Sequence, residues 1–456
     1  MKDEVPVEPA PNPVKKILDT EVNLRPVVDK LGFNRFLRIL GPGIITGAAD
    51  DDPSGIATYS QAGAQFGYGL AWTMLFTFPL MTAVQEACAR IGAVTGKGLA
   101  AVLRDNYSRK VLYPVVALVV AANTFNIGSD IGALGAGVQL FAPQIPFAVI
   151  AIAFTVLMIG LEVMLSYKTY TKLLKWLALA LLSYTVTALI VNLPWGTVVR
   201  ATFVPHIQLN ADYLFIIVGV LGTTISPYLF FWETSAVVEE EISEHRLAQK
   251  GGIPRLSRRF LKNMRLDNAI GMAFSNITAW FIILTAAAVL NSHGITQINS
   301  AADAAKALEP LVQGFPNAGL VAKVIFAIGM IGVGLLSVPV LAGSSSYALS
   351  EVFGWREGLY RKASKARGFY AVIAIGTLLG LFMNFVGFDP IKALVLTAVF
   401  NGIAAVPLIF LILKVGGNRE IMGDYRHGGV SRALLWITFL VMGAAALALF
   451  ASFIHF

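Results

Sequence analysis

The chain has a single cysteine, Cys88, in 456 residues, so no disulfide can close within it and the redox compartment stays open. Charge is scarce. Asp, Glu, Lys and Arg make up 14% of the residues and hydrophobic types 56%, whereas a soluble domain carries about 25% charge. The five histidines, His206, His245, His293, His427 and His455, fall outside the long apolar runs, which removes imidazole as a midplane ligand or proton carrier. The opening stretch, Val5-Pro6-Val7-Glu8-Pro9-Ala10-Pro11-Asn12-Pro13, is polar and Pro-rich. It lacks the apolar core of a cleaved signal peptide, and residues 1–38 are expected to form a cytoplasmic N-terminal arm. The short alternating segments of a β-barrel are missing as well. What the sequence does have is continuous apolar runs long enough to cross a bilayer, about 20 residues each. The expected class is therefore an all-α polytopic membrane protein.

Hydropathy predicts eleven transmembrane helices, at about 39–63 (broken over 50–56), 67–94, 111–140, 146–166, 172–193, 213–238, 268–291, 319–353, 368–387, 391–414 and 431–454. Thirty-one of the 35 Lys and Arg lie in segments that share one face if the N-terminus is cytoplasmic; only Arg200, Lys306, Lys323 and Lys392 fall elsewhere. This asymmetry predicts a cytoplasmic N-terminus and, after an odd number of spans, an extracytoplasmic C-terminus. It also makes the net charge of +8 an orientation signal rather than a nucleic-acid footprint.

The first span is interrupted by Asp50-Asp51-Asp52-Pro53-Ser54-Gly55. A charge at the bilayer centre costs about 2.5–3.5 kcal/mol on the most lenient scale. Pro and Gly release the chain from helical geometry, and irregular backbone survives at that depth only around a cavity or inside protein. The stretch therefore reads as a broken helix carrying an acidic cation site. A second interruption, Gly222-Thr223-Thr224-Ile225-Ser226-Pro227-Tyr228, lies in the sixth span. Matching breaks at the start of two five-span groups point to an inverted-repeat transporter with its site at the midplane. The expected layout is 39–193 as the first repeat, 194–212 as an extracytoplasmic loop, 213–414 as the inverted second repeat, and 415–456 as a cytoplasmic loop plus an appended helix 11.

Other polar residues fall inside spans. Asp130 in the third span and Glu233 in the sixth are candidates to line the path. Glu86 and Glu162 are expected to pair with loop Arg or Lys. Asn123 and Asn126 are further polar residues of the third span, and Asn401 and Ser344-Ser345-Ser346 suit interhelical hydrogen bonding, though they are also weighed as path-lining. Glu239-Glu240-Glu241 reads as a solvated cytoplasmic end.

Gly41-Pro42-Gly43, Asp52-Pro53, Ala57-Thr58 and Ala62-Gly63-Ala64-Gln65-Phe66-Gly67-Tyr68 resemble the first helix of the Nramp (natural resistance-associated macrophage protein) divalent-metal transporters. Gly222 to Ser235 is similar to their sixth helix, Ala342 to Ser346 to their eighth, and Thr397 to Pro407 to their tenth. The resemblance implies the LeuT-type 5+5 inverted repeat with broken helices 1 and 6, and inward movement of divalent cations. It also implies Asp52 as the main metal ligand. The family motif Asp-Pro-Gly-Asn becomes Asp52-Pro53-Ser54-Gly55, so the ligand Asn is replaced by Gly55. Met-Pro-His becomes Ser226-Pro227-Tyr228, so the thioether is replaced by Ser226. A family histidine linked to proton movement aligns with Glu233, or with Trp232 one register away. The paired acids of the third helix reduce to Asp130, with Ile127 at the other position. This pattern resembles the Nramp-related magnesium-transporter branch.

Ligand chemistry points the same way, since thioethers select softer metals while carboxylate, carbonyl, hydroxyl and water suit Mg²⁺, Ca²⁺ and Mn²⁺. The expectation is an inner-membrane transporter, not an enzyme, for a hard, partly hydrated divalent cation, Mg²⁺ favoured and Mn²⁺ allowed. No cofactor is expected, nor any partner beyond the ion and the bilayer; the sequence leaves the oligomeric state open, a monomer included. Asp52, Ser226, Gly55, Thr223 and Asp51 are expected at the metal. Glu233, Asp130, Asp50 and Asn401 are expected along the path or linked to protons. The alternatives are a proton-coupled Mn²⁺/Fe²⁺ symporter, an intramembrane aspartyl protease using Asp52 and Asp130, and an amino-acid carrier, whose substrate carboxylate the three Asp would repel.

Overall fold

Pro53 starts a helix here. Its ring fixes φ at a helical value and its missing N–H is one that a first-turn residue does not use. Asp52, in extended conformation just before it, caps the new helix by accepting from the Gly55 N–H at 2.7 Å. The interruption therefore shrinks from the expected 50–56 to Asp51 and Asp52 alone, and Gly55 lies within the first helical turn. The computed structural model describes residues 42–164, 182–191, 193–248, 252, 254, 256–309, 317–387 and 389–454. The expected arm at 1–38 and half of the fifth span lie outside them.

The first broken span is α1 (Pro42–Asp50) and α2 (Pro53–Phe66). There follow α3 (Trp72–Thr95), α4 (Leu99–Asn106), α5 (Arg109–Gln139), α6 (Phe147–Met164), α7 (Leu182–Ile190) and α8 (Trp195–Phe203). The second broken span is α9 (Ala211–Thr224) and α10 (Pro227–Ser243). After it come α11 (Arg258–Val289), α12 (Ala301–Lys306), α13 (Ala318–Phe353), α14 (Arg367–Met383), α15 (Pro390–Gly417), α16 (Arg419–Met422) and α17 (Gly429–Ile454). Among the described residues there is no strand, and seven helical segments, the second broken span Ala211–Ser243 counted as one, are long and apolar enough to cross a membrane.

Packing follows the two halves of the sequence. The first broken span lies along α11, and the second half of the other broken span lies along α3, so each repeat's lead helix packs on the second helix of the opposite repeat. The third helices of the two repeats, α5 and α13, run along each other. Several close helix contacts require glycine, two of them at Gly47 and Gly222 of the broken spans. A Cβ on Gly47 would overlap the Gly271 backbone of α11, and one on Gly222 would overlap α15 at Ala398 and Gly402. Small residues at such crossings let helices approach where lipid supplies no hydrophobic drive.

Two expectations change. The stretch 194–212 is not all loop: it holds α8, docked where Trp280 Nε1 donates to Thr202 Oγ1 at 3.0 Å. Glu239-Glu240-Glu241 is not a solvated end, because Glu239 and Glu241 are buried; Glu239 accepts from Tyr347 Oη, at 2.6 Å, and from the Leu359 N–H, at 2.7 Å. Glu162 is buried on α6, and the loop lysines that follow it, Lys168, Lys172 and Lys175, lie outside the described residues. Glu86, by contrast, does pair with Arg90 and Arg265. The serine run acts as interhelical bonding: Ser344 donates to Tyr228 O and Ser346 to Phe369 O.

Candidate metal site

Asp52 ends the first break with both carboxylate oxygens engaged. Oδ1 accepts from Ser54 Oγ at 2.6 Å and Gly55 N at 2.7 Å, and Oδ2 accepts from Asn126 Nδ2 on α5 at 2.8 Å. It is 1% exposed. Three donors on one buried carboxylate hold it in a single orientation, the kind of arrangement a fixed ligand needs.

The second break stands beside it. Ser226 precedes Pro227 as Asp52 precedes Pro53, and its hydroxyl donates back to Thr223 O at 2.8 Å and Gly222 O at 3.1 Å. Its oxygen lone pairs remain available. Thr223 Oγ1 is buried with no hydrogen-bond partner among the described residues. A Cβ on Gly55 would stand 3.0 Å from Thr223 Oγ1 and 3.4 Å from Asp50 O. The space a side chain would take at Gly55 is thus walled by a free hydroxyl and a carbonyl at the broken end of α1. Two tyrosines lock the breaks side by side. Tyr228 Oη donates to Ala49 O at 2.6 Å. Thr224 gives its proton to Val220 O at 2.6 Å, so Tyr59 Oη donates to Thr224 Oγ1 at 3.0 Å.

The three consecutive acids separate. Asp52 faces α5, while Asp50 Oδ2 and Asp51 Oδ1 share the Ser275 hydroxyl of α11, at 3.0 and 3.1 Å. One hydroxyl has one proton to give, and Asp50 Oδ1 and Asp51 Oδ2 have no partner among the described residues. Among the described residues no three His, Cys, Asp or Glu side chains converge as a metal cluster, so the oxygens around Asp52 are one carboxylate and neutral donors.

The expected path residues scatter. Glu233 is buried on α10, accepting from Thr46 Oγ1 on α1 at 2.5 Å and Asn268 Nδ2 on α11 at 3.4 Å. Asp130 lies one turn beyond Asn126 on α5 and accepts from Ser337 Oγ at 2.8 Å. Asn401 on α15 is buried, with no hydrogen-bond partner among the described residues. Sequence reasoning left three contacts unread: Asn126 to Asp52, Ser275 to Asp50 and Asp51, and Tyr228 to Ala49. Asn126 stood among the intramembrane polar residues, but nothing local told which helix it would face.

Two cavities of about 300 Å³ flank the core. One, above α2, is lined by Gln61, Gln65, Asp212, Gln297, Asn299 and Lys392 among others. Gln61 pins its rim by donating to Thr296 O at 3.0 Å and accepting from Ile298 N at 2.9 Å. The other lies near the ends of α10 and α13 and gathers Glu239, Glu351, Glu357, Arg356 and Arg361. Burial, followed by the neighbouring Glu351 and Glu239 carboxylates, pushes the Glu357 carboxyl far above the usual range.

Residues 43–452 match the model of the family described as Nramp, natural resistance-associated macrophage protein-like. The chain is 25% identical over 421 residues to the "Divalent metal cation transporter MntH" of Ralstonia nicotianae, covering 91% of each chain. It is 28% identical over 400 residues to the protein of the same name from Yersinia enterocolitica, covering 85% of this chain and 88% of that one. In fold it resembles the Eremococcus coleocola manganese transporter (TM-score 0.69, 16% identity, 91% of this chain and 86% of that one). It also resembles Mhp1, a nucleobase-cation-symport-1 family transporter (TM-score 0.57, 13% identity, 91% and 90%).

Proposed function

Because the chain belongs to the natural resistance-associated macrophage protein-like (Nramp) family, we propose that it moves a divalent metal cation across the membrane by alternating access. The family is non-enzymatic: curated relatives are named as metal transporters. In this reading the ion enters the cytoplasm, the N-terminus is cytoplasmic, and the cargo is a hard, partly hydrated cation, Mg²⁺ before Mn²⁺. Asp52 is the main ligand. Ser226, Thr223 and nearby carbonyls are secondary ligands, and Gly55 supplies room for the ion's water. Asp50 and Asp51, turned to Ser275, hold negative charge beside the ion. Asp130, Glu233 and Asn401 line its route.

The observation that carries this reading is a buried carboxylate, Asp52, set between two helix breaks whose side chains, Ser54, Thr223 and Ser226, carry oxygen and no sulfur. Mg²⁺ dehydrates reluctantly and is held by one or two carboxylates with several waters kept, and hydroxyl and carbonyl oxygens suit it better than a thioether. In this reading the cavity at Gln61 and Gln65 is an approach to the site from one side.

Uptake of Mg²⁺ and Mn²⁺ into liposomes by the wild type and Asp52→Ala tests the assignment. Loss of uptake of both ions is expected; undiminished uptake in Asp52→Ala overturns it. Competition among Mg²⁺, Mn²⁺ and Ca²⁺ on the wild type tests the preference, and a pH-sensitive dye inside the liposomes separates this reading from the proton-coupled Mn²⁺/Fe²⁺ symporter.

A further inference from the structure

Asn126 does more than hold Asp52. Its Nδ2 donates to Asp52 Oδ2 at 2.8 Å, both residues are buried, and its own Oδ1 has no hydrogen-bond partner among the described residues. A carboxylate only accepts, so against Asp52 alone the amide must present its N–H₂ end and leave its carbonyl unpaired. That orientation follows from charge, and a divalent cation on Asp52 reverses it: the N–H₂ end is then repelled and the carbonyl attracted. The terminal amide torsion is broad and roughly two-fold, so a half-turn exchanges the two ends without moving α5.

We infer that Asn126 is a cation ligand of this chain, its amide turning over to offer Oδ1 when the ion reaches Asp52. The inference rests on the transport reading above and adds a ligand from a third helix. Position 55 explains why the amide must come from α5. The family resemblance places an amide ligand there, but this chain has Gly55, where even a Cβ would press against Thr223 Oγ1. Hard cations accept amide carbonyl oxygens readily. Asn126 thereby supplies the neutral oxygen that Gly55 cannot. Asn123 and Asp130, at three and four residues' spacing, lie on the same face of α5, but only Asn126 reaches Asp52.

Mn²⁺ binding to the full-length protein in detergent, measured by titration calorimetry, tests this. Asn126→Ala is expected to weaken Mn²⁺ by about 10-fold or more, the scale of losing a supporting group at a metal site. Asn126→Asp, of the same shape and with two acceptor oxygens, is expected to bind as tightly as wild type or more tightly. If Asn126 serves only as a hydrogen-bond donor that positions Asp52, Asp must fail as Ala does; equal weakening in the two variants overturns the inference. Unchanged affinity in Asn126→Ala overturns it as well. Asn126→Leu, of similar volume and without polar atoms, replaces Ala should that variant not fold. Asp52→Asn keeps the two readings apart. If it leaves Mn²⁺ binding intact, the site assignment itself falls, whereas if it abolishes binding while Asn126→Ala does nothing, only the Asn126 inference falls.

Discussion

Thr46 Oγ1 donates to Glu233 Oε2 at 2.5 Å, tying the first half of one broken span to the second half of the other. Both residues are buried, and α11 reinforces the seam: Gly43 N donates to Asp267 Oδ2 at 2.8 Å and Asn268 Nδ2 to Glu233 Oε1 at 3.4 Å. In the proposed orientation α1 and α10 both lie on the cytoplasmic side of the breaks. Separating them to release an ion inward requires this bond to open.

Thr46→Val removes the donor and leaves a carboxylate oxygen of Glu233 short of a partner, a loss of about 1–3 kcal/mol from the closed arrangement. The expected outcome is a shift toward the inward-open state. With Cys88→Ala as background, Ala49→Cys should react at least about 5-fold faster with a membrane-impermeant thiol reagent in inside-out vesicles when Thr46→Val is added, since a few kcal/mol is enough to change a minor state's population severalfold. Equal labelling rates would show that the seam does not gate the site.

Gly47→Ala places a methyl group in the Gly271 backbone. Neither chain can yield as a flexible side chain would, so α1 must lift off α11, at a cost of about 1–3 kcal/mol. A lower melting temperature in detergent and reduced uptake are expected together. Gly69→Ala, where a Cβ meets nothing, is the control and should leave both unchanged.

Ser226→Met introduces a soft donor beside Asp52 at the second break. Thioethers favour softer metals, so Cd²⁺ should compete more strongly against Mg²⁺ in the variant than in the wild type. A rise of about 10-fold in the Cd²⁺ to Mg²⁺ affinity ratio corresponds to about 1.4 kcal/mol. An unchanged ratio in a folded, active variant would remove the ligand-softness argument.

Glu357 gives a pH signature outside the spans. Burial first, and then Glu351 and Glu239, raise its carboxyl above its ordinary value of 4.5, so folding takes up a proton there. The stability this group contributes is full below pH 4.5 and is lost as the pH rises toward its folded value. Glu357→Gln, neutral at every pH, should therefore melt with the wild type near pH 5 and above it at pH 8, by about 2 °C or more. A difference that is the same at both pH values would contradict the assignment.

Several elements are legible in the order of the residues. The breaks at Asp51–Asp52 and Ile225–Ser226 are local events, set by Pro, Gly and the cost of charge in an apolar run, and they fall within the expected stretches. The first is shorter than predicted because Pro53 and Asp52 together start α2 at once. The serine run as interhelical bonding and the pairing of Glu86 also hold. The burial of Glu239 and Glu241 is not legible, because the sequence end of a span says nothing of which loop folds back over it. Helix α8 is hidden in a stretch too short to register as a span.

The sequence by itself determined that the chain is a helical membrane protein with two broken spans, because hydropathy and helix-breaking residues act within a few neighbours. It also singled out Asp52 and Ser226, each sitting at a break, as candidate ligands. Only the tertiary structure decided where the three acids point. Asp52 meets Asn126, 74 residues away, while Asp51 meets Ser275, 224 residues away. Such partners depend on how α5 and α11 pack around the first break. Helix packing turns on close glycine contacts and side-chain fit between distant segments, and no local pattern encodes which of three adjacent carboxylates faces which helix.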